Sequence, residues 1–190
     1  MLSLIKSIFS KNKHIELRSE IAEPNQPIED SEENLSLLFK NELSVCRYIK
    51  PECHEIVIKH LTHEKSLHKT ENILSNEEKK SLGLNTRVIF TQEFVAVLTK
   101  EGMELQNPKD ILTEMYNKVT INKAIRDSFK KSLRVGVKKF TLKPTGGGAP
   151  CEWCISNANK EFGTDILETL YKNCTCIPYT WSYINSVIEF

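Results

Sequence analysis

From Asn34 onward, apolar residues recur at spacings of three and four, at Leu35, Leu38, Phe39, Leu43 and Cys46. That period predicts an amphipathic helix. Pro51 suits the first turn of a second helix, whose apolar face would carry Val57, Leu61 and Leu67. Ser75-Asn-Glu-Glu78 has the form of a capping box, and the short helix it opens would end at Gly83. Asn85 to Phe90 reads as a brief extended piece. Thr91 reads as the N-cap of a helix through Phe94, Val95 and Leu98, stopped by Gly102. Asn107-Pro108-Lys109-Asp110 joins an N-cap, a proline at the first helical position and an early acid. The helix it starts should run through Ile111, Met115, Val119 and Ile125 towards Leu133, with a bend near the β-branched Val119-Thr-Ile121.

The period then changes. Gly136 interrupts the helical pattern, and Val137-Lys-Lys-Phe140-Thr-Leu142 fits a strand closed by Pro144 and the loop Thr145–Gly148. Thr164 can cap a short helix through Ile166, Leu167 and Leu170. Tyr179, Trp181 and Tyr183 alternate as on the aromatic face of a final strand. The expected fold is α+β: a mainly helical domain over 34–133, followed by a small β-containing module over 134–190 packed on it. Residues 1–33 read as a short docking helix, with Leu2, Ile5 and Phe9 on one side, and an acidic arm containing Pro24 and Pro27. A membrane-surface anchor is the alternative for the first segment.

Net charge is +1 over 190 residues, so no global field implies a partner. The local blocks say more. Residues 15–33 carry seven acids against Arg18, and residues 118–143 carry nine bases against Asp127. Lys123, Arg126, Lys130, Lys131, Arg134, Lys138 and Lys139 are therefore candidates for nucleic acid or another polyanion, with a solvated surface as the bland reading. No apolar run approaches the ~20 residues of a membrane span. The opening residues lack the small-residue cleavage site of a secretory leader, so a reducing, cytoplasmic setting is expected.

The most specific chemistry lies in Cys151-Glu-Trp-Cys154 and, after nineteen residues, Cys174-Thr-Cys176. Two close pairs joined by a connector that can fold back are what a tetrahedral four-thiolate site requires. The expected cofactor is one structural zinc, with iron as a substitute; unligated thiols and redox chemistry are the alternatives. A disulfide framework is the weaker reading in a reducing compartment. The second predicted helix carries His54, His60, His63 and His68, so His60, His63 and Glu64 form a candidate second site. Their spacing does not match HExxH. The glycine loop is followed by no GK[ST], which excludes a P-loop. Pro150-Cys151-Glu-Trp-Cys154 gives PCxxC, but no HxE precedes it, so a zinc deaminase signature is incomplete.

Basic helix, Arg134-Val-Gly136-Val-Lys-Lys-Phe140 strand, glycine loop, Cys151-xx-Cys154 and Cys174-x-Cys176 together resemble the C-terminal module of phage minor head (head morphogenesis) proteins of the Mu F type. The resemblance covers roughly residues 110–180. Where that family commonly has a histidine three positions before the second pair, this chain has Tyr171. The resemblance implies a structural protein of a phage or prophage particle. It would meet head or portal components and DNA, without integral membrane contact, in the host cell or in the virion. A toxin-like enzyme acting on nucleic acid and a zinc-bearing DNA-binding regulator are the other function classes the sequence leaves open.

Overall fold

The computed structural model describes residues 34–68, 70–146 and 148–188. The expected docking helix and acidic arm of residues 1–33 lie outside the described residues.

Helix α1 (Leu35–Ser44) opens at Asn34, whose side chain accepts from the Ser36 N–H, and it buries Phe39 and Leu43 completely. A single 3₁₀ turn (Pro51–Cys53) leads into α2 (His54–Leu61), which turns Val57 and Leu61 inward. The expected continuation to Leu67 does not form. The helix closes at Thr62, and His63 takes a left-handed conformation (φ 64) that turns the chain away. Leu67 still reaches the core, from the loop.

Helix α3 (Asn76–Ser81) has the full capping box between Ser75 and Glu78, and Gly83 follows at φ 70. The next stretch is irregular rather than extended. The Lys79 ammonium, only 6% exposed, donates to the carbonyls of Thr86 and Val88, and Asn85 accepts from the Arg87 N–H. Those bonds hold residues 85–88 in a turn, and pairing is confined to the end of the stretch, where the Phe90 carbonyl accepts from the Leu74 N–H at 2.9 Å beside a single bridge between Ile73 and Thr91. Thr91 caps α4 (Gln92–Val97) as expected. Gly102 does not stop that helix. A separate α5 (Lys100–Met103), capped by Thr99, contains it, and a Cβ at Gly102 would collide with the Tyr48 carbonyl.

Helix α6 (Asp110–Arg134) is the 25-residue spine of the molecule, about 37 Å long at 1.5 Å per residue. It begins after a turn, with the Asn107 amide donating to the Asp110 carboxylate rather than capping a free N–H. It continues without a break through Val119-Thr-Ile121. Its first half closes the helical core through Ile111, Leu112, Met115 and Val119, and Tyr116 stacks on Phe39. Its last turns belong to a second core, where Phe129 and Leu133 meet Phe140, Ile166 and Ile184. The Phe129 and Phe140 rings lie 4.9 Å apart. One helix thus serves both cores, and packing is shared across the boundary expected at residue 133.

Beyond Gly136 (φ 83) come β1 (Lys139–Pro144), α7 (Glu152–Ser156), β2 (Glu161–Phe162), α8 (Ile166–Asn173) and β3 (Ser182–Val187). The sheet is antiparallel with order β2-β1-β3. Phe140 and Leu142 point into the core, while Lys139 and Lys143 are exposed. The fold class is α+β, as expected. Two details differ: Tyr179 and Trp181 precede the last strand rather than belonging to it, and α8 starts at Asp165 without a Thr164 cap. No described helix is long and apolar enough to cross a membrane.

Candidate metal centre

The four cysteines of the two pairs converge, as their spacing predicts. Cys151 sits at the N-cap of α7 and Cys154 in its first turn, so the CxxC pair is held by one helical turn. Cys174 ends α8, its N–H donating to the Leu170 carbonyl at 2.8 Å, and the chain then turns through Thr175 to bring Cys176 back. All four Sγ atoms lie within 4.8 Å of one another. Cys154 Sγ is 3.6 Å from Cys174 Sγ and 3.8 Å from Cys176 Sγ. A disulfide would need about 2.05 Å, and all four thiols are free. Four sulfurs at about 2.3 Å from a central zinc would be separated by about 3.8 Å along each tetrahedral edge. The donor set fits a tetrahedral ion.

Two backbone donors cross between the pairs. The Cys151 N–H donates to Cys176 Sγ at 3.2 Å, and the Thr175 N–H donates to Cys151 Sγ at 3.3 Å. Each pair therefore orients a sulfur of the other. Leu142, Leu170, Trp153, Phe162 and Ile184 pack round the cysteines, burying Cys154 fully and leaving Cys151, Cys174 and Cys176 half-buried. Burial pushes the Cys154 thiol far up, with the Cys174 charge adding to it, and pushes Cys174 up to about 11. Burial also acts on Cys151, but N–H and side-chain hydrogen bonds from Cys154 and Thr175 outweigh it and bring that thiol down to about 6. Cys154 and Cys174 thus hold their protons until a cation replaces them, while Cys151 gives its proton up readily. Ser182 was not foreseen. It is 2% exposed and lies near enough to Cys154 to lower that thiol against the burial effect, although its hydroxyl makes no hydrogen bond of ordinary geometry among the described residues. A lone serine in an aromatic run carries no sequence signal for that role.

The histidines do not gather into a second centre. His60 and His63, at the end of α2, turn to different partners. His60 Nδ1 lies 3.3 Å from both the Lys65 carbonyl and the Leu67 N–H, while His63 turns to the Tyr116 hydroxyl. The Glu64 carboxylate accepts from Thr62. Among the described residues, the cysteine quartet is the only group of His, Cys, Asp or Glu drawn close enough to hold a metal ion.

The basic residues are likewise divided. Lys118 bonds Glu42 at 2.8 Å and Lys123 pairs with Asp127, both with largely buried side chains. Arg126 and Lys130 are half-buried on α6. Lys131 and Arg134 are exposed at its end, while Lys138 and Lys139 lie beyond it, with Lys139 3.9 Å from Glu161. Lys123, Arg126, Lys130 and Arg134, spaced by three and four, share one side of α6, whereas Lys131 lies off that side and Lys138 and Lys139 follow the helix. Tyr171 donates to the Asn122 carbonyl on α6. Comparison with known proteins returns no matching family model, curated protein or solved structure.

Proposed function

We propose that this chain is a non-catalytic assembly protein whose C-terminal module is held by one structural zinc. The observation that carries the reading is the closed set of four cysteine sulfurs with tetrahedral separations. Zinc ligated by four thiolates has no open position for water or substrate, so it serves the fold rather than a reaction. The module needs such help. Its own cores contain few fully buried large side chains, chiefly Phe140, Leu142, Ile166 and Leu170. The order of basic helix, strand, CxxC, helix and CxC supports a minor head protein of a phage or prophage, meeting head or portal components in the host cell or the particle.

Native mass spectrometry of wild type and Cys174→Ser tests the metal reading. One zinc per chain, lost in the variant, is the expected result; no metal, or metal that survives the substitution, rejects it. Co-sedimentation of the tagged chain with assembling procapsids tests the head reading, and a chain that never leaves the soluble fraction rejects it.

A further inference from the structure

Strand β3 is an edge strand. Beside it, between its residues and the α6 face of Ile121, Ala124, Ile125 and Ser128, lies a cleft of about 420 Å³. Its outer wall is aromatic. Tyr179 and Trp181 pack with ring centroids 4.6 Å apart, and Tyr183, 39% exposed, continues the wall. Trp181 is fixed on two sides, by its indole N–H donating to the Ile177 carbonyl at 3.0 Å and by Gly148 beneath its ring. The polar groups at the cleft are neutral hydrogen-bonding ones, from Ser128, Thr145, Thr180 and Asn185.

The adjoining sheet face supplies charge. Antiparallel pairing sets Lys143 directly opposite Tyr183 and Thr141 opposite Asn185, so these four side chains share one face. Lys139 lies on the same side of β1, and Lys131 and Lys138 are exposed where α6 hands over to the strand. Glu161, paired with Thr141 across the sheet, is the acid on this face. A rigid aromatic wall bordered by lysines suits a ligand with flat apolar faces and a negatively charged backbone.

We propose that the β1–β3 face and its cleft bind single-stranded nucleic acid. A base enters the cleft against Tyr183 and Trp181, and Lys143 meets the adjacent phosphate. A duplex keeps its base faces stacked internally and has none to offer Tyr183, whereas unpaired bases stack on aromatic side chains irrespective of sequence. The proposal adds a partner to the assembly reading above. It rests on the module being folded, not on which ion it holds.

The test uses full-length, metal-loaded protein and fluorescence anisotropy of labelled oligothymidylate of about fifteen nucleotides, with a duplex of equal length as comparison, at low and raised salt. The single strand should bind more tightly than the duplex. Tyr183→Ala should weaken it by about tenfold and Tyr183→Phe should not, because stacking on the ring is retained. Lys143→Gln should lower the salt slope by about one, while Lys172→Gln on α8 leaves it unchanged. Metal content measured on each variant separates loss of the face from loss of the module, and exposed Lys143 carries the test if Tyr183→Ala disturbs the fold. Absence of binding at low salt, equal affinity for the duplex, or full affinity in both Tyr183→Ala and Lys143→Gln would overturn the proposal. The first of these would leave the cleft to a protein segment.

Discussion

The Trp181 indole occupies the space that a side chain on Gly148 would need: a Cβ there would fall inside the ring system. Gly148 thus serves a close approach; the positive-φ glycines among the described residues are Gly83 and Gly136. Trp181 in turn accepts at its carbonyl from the Thr145 N–H at 2.8 Å, which ties the loop to the start of β3. Gly148→Ala should therefore destabilise the module by about 1–3 kcal/mol, the usual range for overpacking. Gly146→Ala, with nothing within 4 Å of its Cβ, should be close to neutral. Urea unfolding followed by tryptophan fluorescence distinguishes the two.

Thr91 performs two tasks from a buried position. Its hydroxyl caps the Phe94 N–H at 3.2 Å and donates to the Leu67 carbonyl. Ser75 makes a similar cap in its capping box, but its hydrogen bonds are exposed. Thr91→Val should cost about 2–3 kcal/mol, because a buried carbonyl loses its donor as well as the helix losing its cap. Ser75→Ala should cost about 1 kcal/mol, since water can reach the orphaned groups. Equal effects in thermal melting would contradict this assignment.

These contrasts show which features could be read from sequence. The Ser75 box, the Thr91 cap and the helical period of α1 and α6 are local, so spacing alone locates them. The cysteine pairs are legible for a similar reason, since two-residue and one-residue gaps constrain where sulfurs can point. What escapes is set by tertiary contact. His63 leaves the helix through a left-handed turn, Lys79 is drawn inward by two loop carbonyls, and Gly102 is needed only because Tyr48 lies against it.

His60 makes stability depend on pH. Burial lowers its pKa below the ordinary 6.5, outweighing the opposing hydrogen bond with the Lys65 carbonyl, and the His63 charge adds a smaller lowering effect. The folded state therefore binds its proton less readily than the unfolded chain. Stability is fully present above about 6.5 and declines as pH falls through the folded-state pKa. His60→Gln should reduce that decline between pH 7.5 and about 5, leaving the part due to His68, whose pKa burial lowers in the same way. An unchanged slope in urea titrations at several pH values would show that His60 is not its source.

Removal of metal should separate the two cores more sharply than any of these substitutions. The cysteine cluster packs directly on Leu142 and Leu170, so its four sulfurs and the sheet's inner face form one packed unit. Without an ion, buried Cys154 and Cys174 keep their protons, and the two pairs are joined chiefly by weak hydrogen bonds to sulfur from the Cys151 and Thr175 N–H groups. Metal binding by a site of this kind is folding free energy, about 10–16 kcal/mol in small zinc modules. Chelation should thus abolish hydrogen-exchange protection in β1, α8 and β3. Protection in α1 and in the first half of α6, held by Phe39, Leu43, Met115 and Val119, should persist. The far half of α6 is the discriminating segment: Phe129 packs on Phe140 alongside Ile166, so its amides should lose protection with the sheet. Uniform loss along the whole of α6 would instead mean that the shared helix couples the two cores into one cooperative unit.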